Sequence, residues 1–334
     1  MAEKSMRQAL NEALMQEMER DPTVIVLGED ISGGMGTGGE DDAWGGPLGV
    51  TKGLAPRFGR ERVLDTPVSE MAFIGAAVGA AATGLRPVAE LMYIDFLGVC
   101  LDQIFNQGAK FRYMFGGKAK VPVTIRAMYG AGLRAAAQHS QTLYPLVTHL
   151  PGLKVVVPSS PYDAKGLLAQ SIRDDDPVIF LEHKVMYDEM GEVPDDEYTI
   201  PFGEANLTRE GDDVSIVAIG RMVLFANEAA DNLSKAGIQC EVLDPRTLSP
   251  LDESAILGTV EKTGRLVVVD ESNPRCNLAT DISALVAQEA FHALKAPIRM
   301  VCPPHTPVPF APVLEDAYLP NAEKIEAAVL EIVG

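Results

Sequence analysis

The chain is poor in positive charge, in tryptophan and in cysteine, and it has no long apolar run. Lys+Arg number 28 against 47 for Asp+Glu, a formal charge of −19, so the composition offers no basic surface for nucleic acid. The four cysteines, Cys100, Cys240, Cys276 and Cys302, make no C-x-x-C pair and no zinc spacing, and are expected as buried thiols in a reducing compartment. No apolar stretch reaches the roughly 20 residues needed to cross a bilayer. Near the N-terminus Met6, Leu10, Ala13, Leu14 and Met18 recur at helical spacing among Glu3, Glu12, Glu17 and Glu19. That pattern is an amphipathic helix of the fold over residues 1–20; a secretory signal needs an unbroken apolar core and a transit peptide avoids acids, so a cytoplasmic location is expected. A dinucleotide fingerprint is not supported either. Gly34-Met35-Gly36-Thr37-Gly38-Gly39 fits the G-x-G-x-x-G string, but Glu40, Asp41 and Asp42 directly after it would repel a pyrophosphate. The glycine-dense stretch from Gly33 to Gly46 reads either as a surface loop or as a mobile element beside a ligand entrance.

What the chain does have is enough apolar material for two cores. Its 334 residues are 47% hydrophobic and 22% charged, and that length exceeds the usual single core. Strand patterns at 24–27, 121–126, 155–157 and 178–181 alternate with helical patterns at 72–84, 97–114 and 161–173. A polar, Pro/Gly-punctuated stretch over 188–201 is a linker candidate. A second alternation follows, with strands at 214–219, 240–243, 266–269 and 298–301 and helices at 227–236, 253–263 and 279–294. Apolar strands alternating with helices imply an α/β fold of mostly parallel sheets covered on both faces. The expected domains are 1–190 and 201–334.

The most specific motif is Thr66-Pro67-Val68-Ser69-Glu70-Met71 followed by Phe73-Ile74-Gly75-Ala76-Ala77-Val78-Gly79-Ala80, an E-x4-G-Φ-x-x-G-Φ pattern with alanine as the small apolar residue. Gly75 and Gly79 share one helix face and let another backbone approach. Taken alone, Glu70 is a helix-start acid behind an N-cap serine. In context the run resembles the pyrimidine-binding domain of thiamine-diphosphate enzymes. Together with Val24 to Asp30, Ala137 to Gln141 and Ala322 to Glu326, it makes the whole chain similar to β subunits of the first component of 2-oxo-acid and acetoin dehydrogenase complexes.

The resemblance implies site residues. Glu70 would hydrogen-bond a ring nitrogen of the aminopyrimidine and allow its imino tautomer, with burial retuning the carboxyl. Glu29 would lie beside the same ring, Phe96 would stack on it, and Met92 and Val68 would form apolar wall. His139 would be a second catalytic group near the substrate and the incoming lipoyl arm, because imidazole titrates near neutrality; Gln138 and Ser140 would orient it. Oxygens of Val123, Ser171, Ile172, Asp174 and Asp176 would surround a structural potassium ion, although the family pattern has an amide where Asp176 stands. Without the resemblance, Phe96 and Met92 read as core, His139 as a structural group and the acids at 174–176 as a solvated turn.

The chain lacks the G-D-G run with which thiamine enzymes hold magnesium on the diphosphate; its nearest fragment, Gly211-Asp212-Asp213, precedes a strand of the second domain. Half of the cofactor site, magnesium included, is therefore expected from an α subunit in an α2β2 heterotetramer, with a lipoyl-bearing acyltransferase as acceptor. The second domain resembles the transketolase C-terminal domain, which builds subunit contacts, and is assigned no chemistry. Gly45 to Leu54 and Lys110 to Gly117 resemble acetoin-specific β subunits, which makes acetoin the expected substrate. Pyruvate or a branched-chain 2-oxo acid is the alternative, and a non-catalytic scaffold the alternative of another class.

Overall fold

The computed structural model describes residues 1–32 and 45–333. The glycine-dense segment and its acids at 40–42 therefore fall mostly outside the described residues. Contacts divide the chain into two compact units, Met1–Tyr129 with Leu146–Pro201, and Gly130–Pro145 with Phe202–Gly334. The second unit thus takes a short excursion, 130–145, out of the first half of the sequence. Among the described residues no helix is long and apolar enough to cross a membrane.

In the first unit parallel strands lie side by side in the order Lys154–Val156, Val178–His183, Thr124–Tyr129, Arg86–Tyr93, Val24–Gly28 and Val63–Asp65. Strand Val24–Gly28 comes first in sequence among the strands of this sheet, yet Val63–Asp65 pairs on one side of it and Arg86–Tyr93 on the other. The winding direction reverses there, and in open α/β sheets the crevice beyond the strand carboxyl ends at such a reversal is where ligands bind. Gly28 permits the close approach: a Cβ on it would sit 2.8 Å from the Glu90 carbonyl oxygen and 3.0 Å from its Cβ.

Helix Met6–Arg20 begins at Ser5, whose side chain and Gln8 form a reciprocal capping box. It packs against Pro161–Arg173. Its buried Glu17 is neutralised by Arg173, at 2.5 Å, and Arg20, at 2.7 Å, as a carboxylate inside a helix contact requires. The expected helix over 1–20 is shorter, because Ala2–Ser5 pairs antiparallel with Met190–Val193. Part of the expected linker is therefore a strand.

The second unit orders its strands Arg299–Val301, Leu266–Val269, Val214–Ala218, Cys240–Asp244 and Asn206–Arg209, the last antiparallel. Helices Met222–Lys235 and Ala322–Val333 cover one face with an Ala/Val/Ile core; Glu253–Thr263 and Leu278–Glu289 cover the other. Two cysteine expectations are corrected here. Cys100 and Cys240 are buried, but Cys302 is half-buried and Cys276 is exposed, on a loop where its φ is 54°.

Candidate active site

Helix Glu70–Ala82 begins at the end of the loop that follows strand Val63–Asp65. Its buried stripe is Phe73, Ile74, Ala77, Val78 and Ala81, which leaves the remaining small residues free to face elsewhere. Ser69 occupies the N-cap position without a side-chain capping bond, contrary to the expectation of a capping serine; its carbonyl instead accepts from Ala72 and Phe73 amides. Glu70 is the first helical residue and is half-buried in this chain. The two motif glycines differ. A Cβ on Gly75 would meet Gln103 Cγ at 3.0 Å, while one on Gly79 would meet nothing within 4 Å. Gly75 is thus spent on a contact within the chain, and only the Gly79 end of that face is open.

Gln103 opens the π-helical part of a segment where one helix over 97–114 is expected. The segment runs as α-helix Leu97–Asp102, π-helix Gln103–Gly108 and a final turn Phe111–Met114. π-turns recur at functional sites.

Glu29 follows strand Val24–Gly28 and is 7% exposed. Burial, then the nearby charges of Glu70 and Asp30, raise its pKa above the ordinary carboxylate range. The coupling of Glu29 to Glu70 brings these two site candidates into one electrostatic cluster. Glu29 Oε1 is buried and has no hydrogen-bond partner, and the same holds for Thr66 Oγ1 and Gln103 Oε1. Buried polar atoms normally find partners; Glu29 and Thr66 lie on neighbouring loops, the Thr66 amide donating to the Gly28 carbonyl at 2.9 Å, and their free oxygens could meet a polar ligand. The set fits an aminopyrimidine ring, which offers both donors and acceptors.

On the neighbouring strand, Met92 sits at φ 63°, a left-handed conformation that costs a non-glycine residue about 1 kcal/mol or more. The pairing register slips between Glu90 and Tyr93 at the same place. Phe96 is half-buried, its ring edge-on to Tyr93 with centroids 5.6 Å apart. Val68 is 81% exposed. As wall of a pocket it lacks cover in this chain, and a partner surface would have to supply the rest.

Below this end of the sheet lies a charged network with no counterpart in the sequence reading. Arg126 binds both oxygens of Glu182, at 2.6 and 2.7 Å, and Glu90, at 2.7 Å, and Tyr187 donates to Glu182 at 2.6 Å. All are buried, and burial raises the Glu90 pKa even against the opposing pull of Arg126. The signal was present: an arginine and two glutamates within otherwise apolar parallel strands need one another.

The proposed potassium ligands do come together, but internal cations hold them. Arg86 donates to the carbonyls of Ile172, at 3.1 Å, and Asp174, at 2.8 Å. Lys154 binds both Asp174 carboxylate oxygens, Arg112 binds Asp176 at 2.8 Å, and the Val123 carbonyl accepts from the Val178 amide. Ser171 Oγ donates to Leu167. These oxygens therefore do not form a set left open for an ion. Among the described residues no group of three His, Cys, Asp or Glu side chains is arranged to hold a metal.

His139 lies in the excursion 130–145, half-buried, and belongs to the second unit. Ser140 beside it is buried and Gln138 is exposed.

The chain matches the transketolase pyrimidine-binding domain over residues 2–189 and the transketolase C-terminal domain over 203–325. It is 69% identical to the β subunit of acetoin:2,6-dichlorophenolindophenol oxidoreductase from Cupriavidus necator, covering 97% of this chain and 96% of that one. Identity to the Bacillus subtilis protein of the same name is 60%, covering 99% and 97%. The β subunit of the pyruvate dehydrogenase E1 component from Bacillus subtilis is 43% identical, covering 97% of each chain. Among solved structures, a split-gene transketolase described as an inactive β4 tetramer superposes with a TM-score of 0.77 at 24% identity over 98% of both chains, a likeness of fold. The chain belongs to the thiamine-diphosphate-dependent, transketolase-like family of acetoin and 2-oxo-acid dehydrogenase β subunits.

Proposed function

We propose that this chain is the β subunit of an acetoin dehydrogenase that cleaves acetoin and passes the acetyl group to lipoamide on an acyltransferase partner. One observation carries the substrate: identity is 69% and 60% to acetoin β subunits but 42% and 43% to 2-oxoisovalerate and pyruvate β subunits. When bound, thiamine diphosphate would supply the nucleophilic carbon that the cleavage needs. Glu70 would hold the pyrimidine ring by a hydrogen bond from or to its carboxyl and could exchange a proton there. Glu29, whose pKa burial raises, would lie beside the same ring. Phe96 and Met92 exclude water from its face, and Val68 closes the wall against the partner. His139 holds or moves a proton near the substrate.

The cofactor's phosphates and magnesium belong to an α subunit, in an α2β2 assembly in the cytoplasm, with domains 1–190 and 201–334 in this chain. Potassium at the 171–176 turn enters the proposal as an exchange, in which the ion takes oxygens that Arg86 and Lys154 hold. A rise in melting temperature with potassium but not sodium supports it, and equal responses remove it.

The function is tested by co-expressing the chain with its α partner and measuring dye reduction with acetoin, pyruvate and branched-chain 2-oxo acids. The highest kcat/KM is expected with acetoin, and none with this chain alone. A higher value for pyruvate overturns the substrate. Tight magnesium-dependent cofactor binding by the isolated chain overturns the split site.

A further inference from the structure

The excursion 130–145 has an improbable backbone. Gly130 and Gly132 have φ of 91° and 103°, and Arg134 and Ala136, which are not glycines, have φ of 58° and 59°. A short segment with two left-handed L-residues does not hold its shape unaided. Two buried carboxylates meet it. Glu271, two residues beyond strand Leu266–Val269 and 3% exposed, accepts from the Ala131 amide at 2.7 Å. Glu315, in helix Pro312–Tyr318 and fully buried, accepts from the Gly132 amide at 2.6 Å and from Arg134 Nη1 at 2.8 Å. Asp316 takes the other Arg134 nitrogen at 2.6 Å. The far end is fixed by the Tyr144 hydroxyl on buried Asp270. The two ends are tied together where the Gly130 amide donates to the Gln141 carbonyl at 3.1 Å.

His139 lies between these fixed ends. Its amide donates to the carbonyl of Ala136 at 3.4 Å, so its backbone is bonded directly to a left-handed residue. Burying a carboxylate is costly unless it is paired, and here two are spent on main-chain amides of one loop. A loop that only needed anchoring could use apolar contacts.

We propose that Glu271 and Glu315 are positioning residues for His139: their charge-assisted bonds to the Ala131 and Gly132 amides and to Arg134 fix the left-handed backbone that sets the imidazole. The proposal rests on the reading that His139 serves the reacting atoms, but its test has a readout that does not. Diethyl pyrocarbonate modifies accessible imidazoles, and peptide mass spectrometry reads His139 against exposed His149 and His292 within the same chain. In Glu271→Gln, Glu315→Gln and the double variant, the His139 rate is expected to change by about 10-fold or more, the equivalent of one charge-assisted bond, with the references unchanged. In the reconstituted complex kcat is expected to fall about 10-fold at unchanged KM for acetoin, and the same substitutions made on His139→Ala to cost nothing further.

Unchanged His139 reactivity in folded variants overturns the proposal, whatever happens to the melting temperature. Losses that add fully to that of His139→Ala overturn it too. If His139→Ala alone keeps full activity, the catalytic reading of His139 falls, and the modification rates still decide the positioning. Should the double variant fail to fold, Glu271→Gln alone, which leaves both Glu315 bonds in place, carries the same test.

Discussion

Two strand ends in this molecule have the same architecture and opposite polar chemistry. In the first unit, Glu29 follows the parallel strand Val24–Gly28 and is buried with Oε1 unpartnered. In the second, Asp270 follows the parallel strand Leu266–Val269 and is buried with its oxygens saturated. Oδ1 accepts from Tyr144 and from the Ser272 amide and hydroxyl, and Oδ2 accepts from the Ala279 amide. Burial raises the pKa of both acids, so desolvation alone does not separate a site from a scaffold. The separation lies in what is left unmade. Both Asp270 oxygens accept hydrogen bonds within the chain, whereas Glu29 Oε1 accepts none. The neighbours agree: Met92 holds a left-handed backbone and Val68 stands 81% exposed beside Glu29's helix cluster.

If this contrast is right, removing the saturated acid costs stability and removing the orphaned one does not. Asp270→Ala strands the Tyr144 and Ser272 hydroxyls and two amides, and is expected to lower stability by about 3 kcal/mol or more, read by urea unfolding. A loss under about 1 kcal/mol would show that these bonds are replaceable by water. Next in size, Gly28→Ala drives a Cβ into the Glu90 backbone and should cost about 2 kcal/mol, with weaker cofactor binding in the complex, because the two strands flanking the crevice must part. Wild-type stability there would break the link between close strand approach and the site.

The smallest effect is a pH dependence. The folded pKa of Glu29 lies above its unfolded value, so the folded state binds the proton more tightly. Its ionisation therefore erodes stability as pH rises from the ordinary carboxylate range through the raised value. Glu29→Gln should remove that erosion, raising the melting temperature more at pH 8 than at pH 4. An equal change at both pH values would contradict the assigned shift.

Most of the fold was legible from pattern. Helices 161–173 and 253–263 and strand 266–269 fall where apolar periodicity puts them, because burial on a fixed face writes directly into spacing. The strand that matters most for the site, Arg86–Tyr93, does not show as one. Pro87 and Glu90 interrupt its apolar run, and what makes Glu90 tolerable there is Arg126, thirty-six residues away in sequence. The π-helix at 103–108 hides in an unbroken helical pattern for a similar reason, since local propensity carries no record of the Gly75 contact. Of the site candidates, Glu29 and Glu70 lie close enough for the Glu70 charge to act on Glu29. The oxygens at 171–176 also come together, but around Arg86 and Lys154, whose reach spans elements that spacing alone does not connect. The hold of Glu271 and Glu315 on the His139 segment likewise needs tertiary contacts to be seen.

The central claim is that the unsatisfied end of the first unit is where thiamine diphosphate is activated through Glu70. The most direct measurement is the rate of hydrogen–deuterium exchange at the thiazolium carbon of the cofactor, in the complex reconstituted with wild-type chain and with Glu70→Gln. The account predicts an intact fold, retained assembly and exchange slowed by about 10²-fold or more, the scale of a positioned acid–base group. Exchange at the wild-type rate in a folded, assembled Glu70→Gln complex would contradict it.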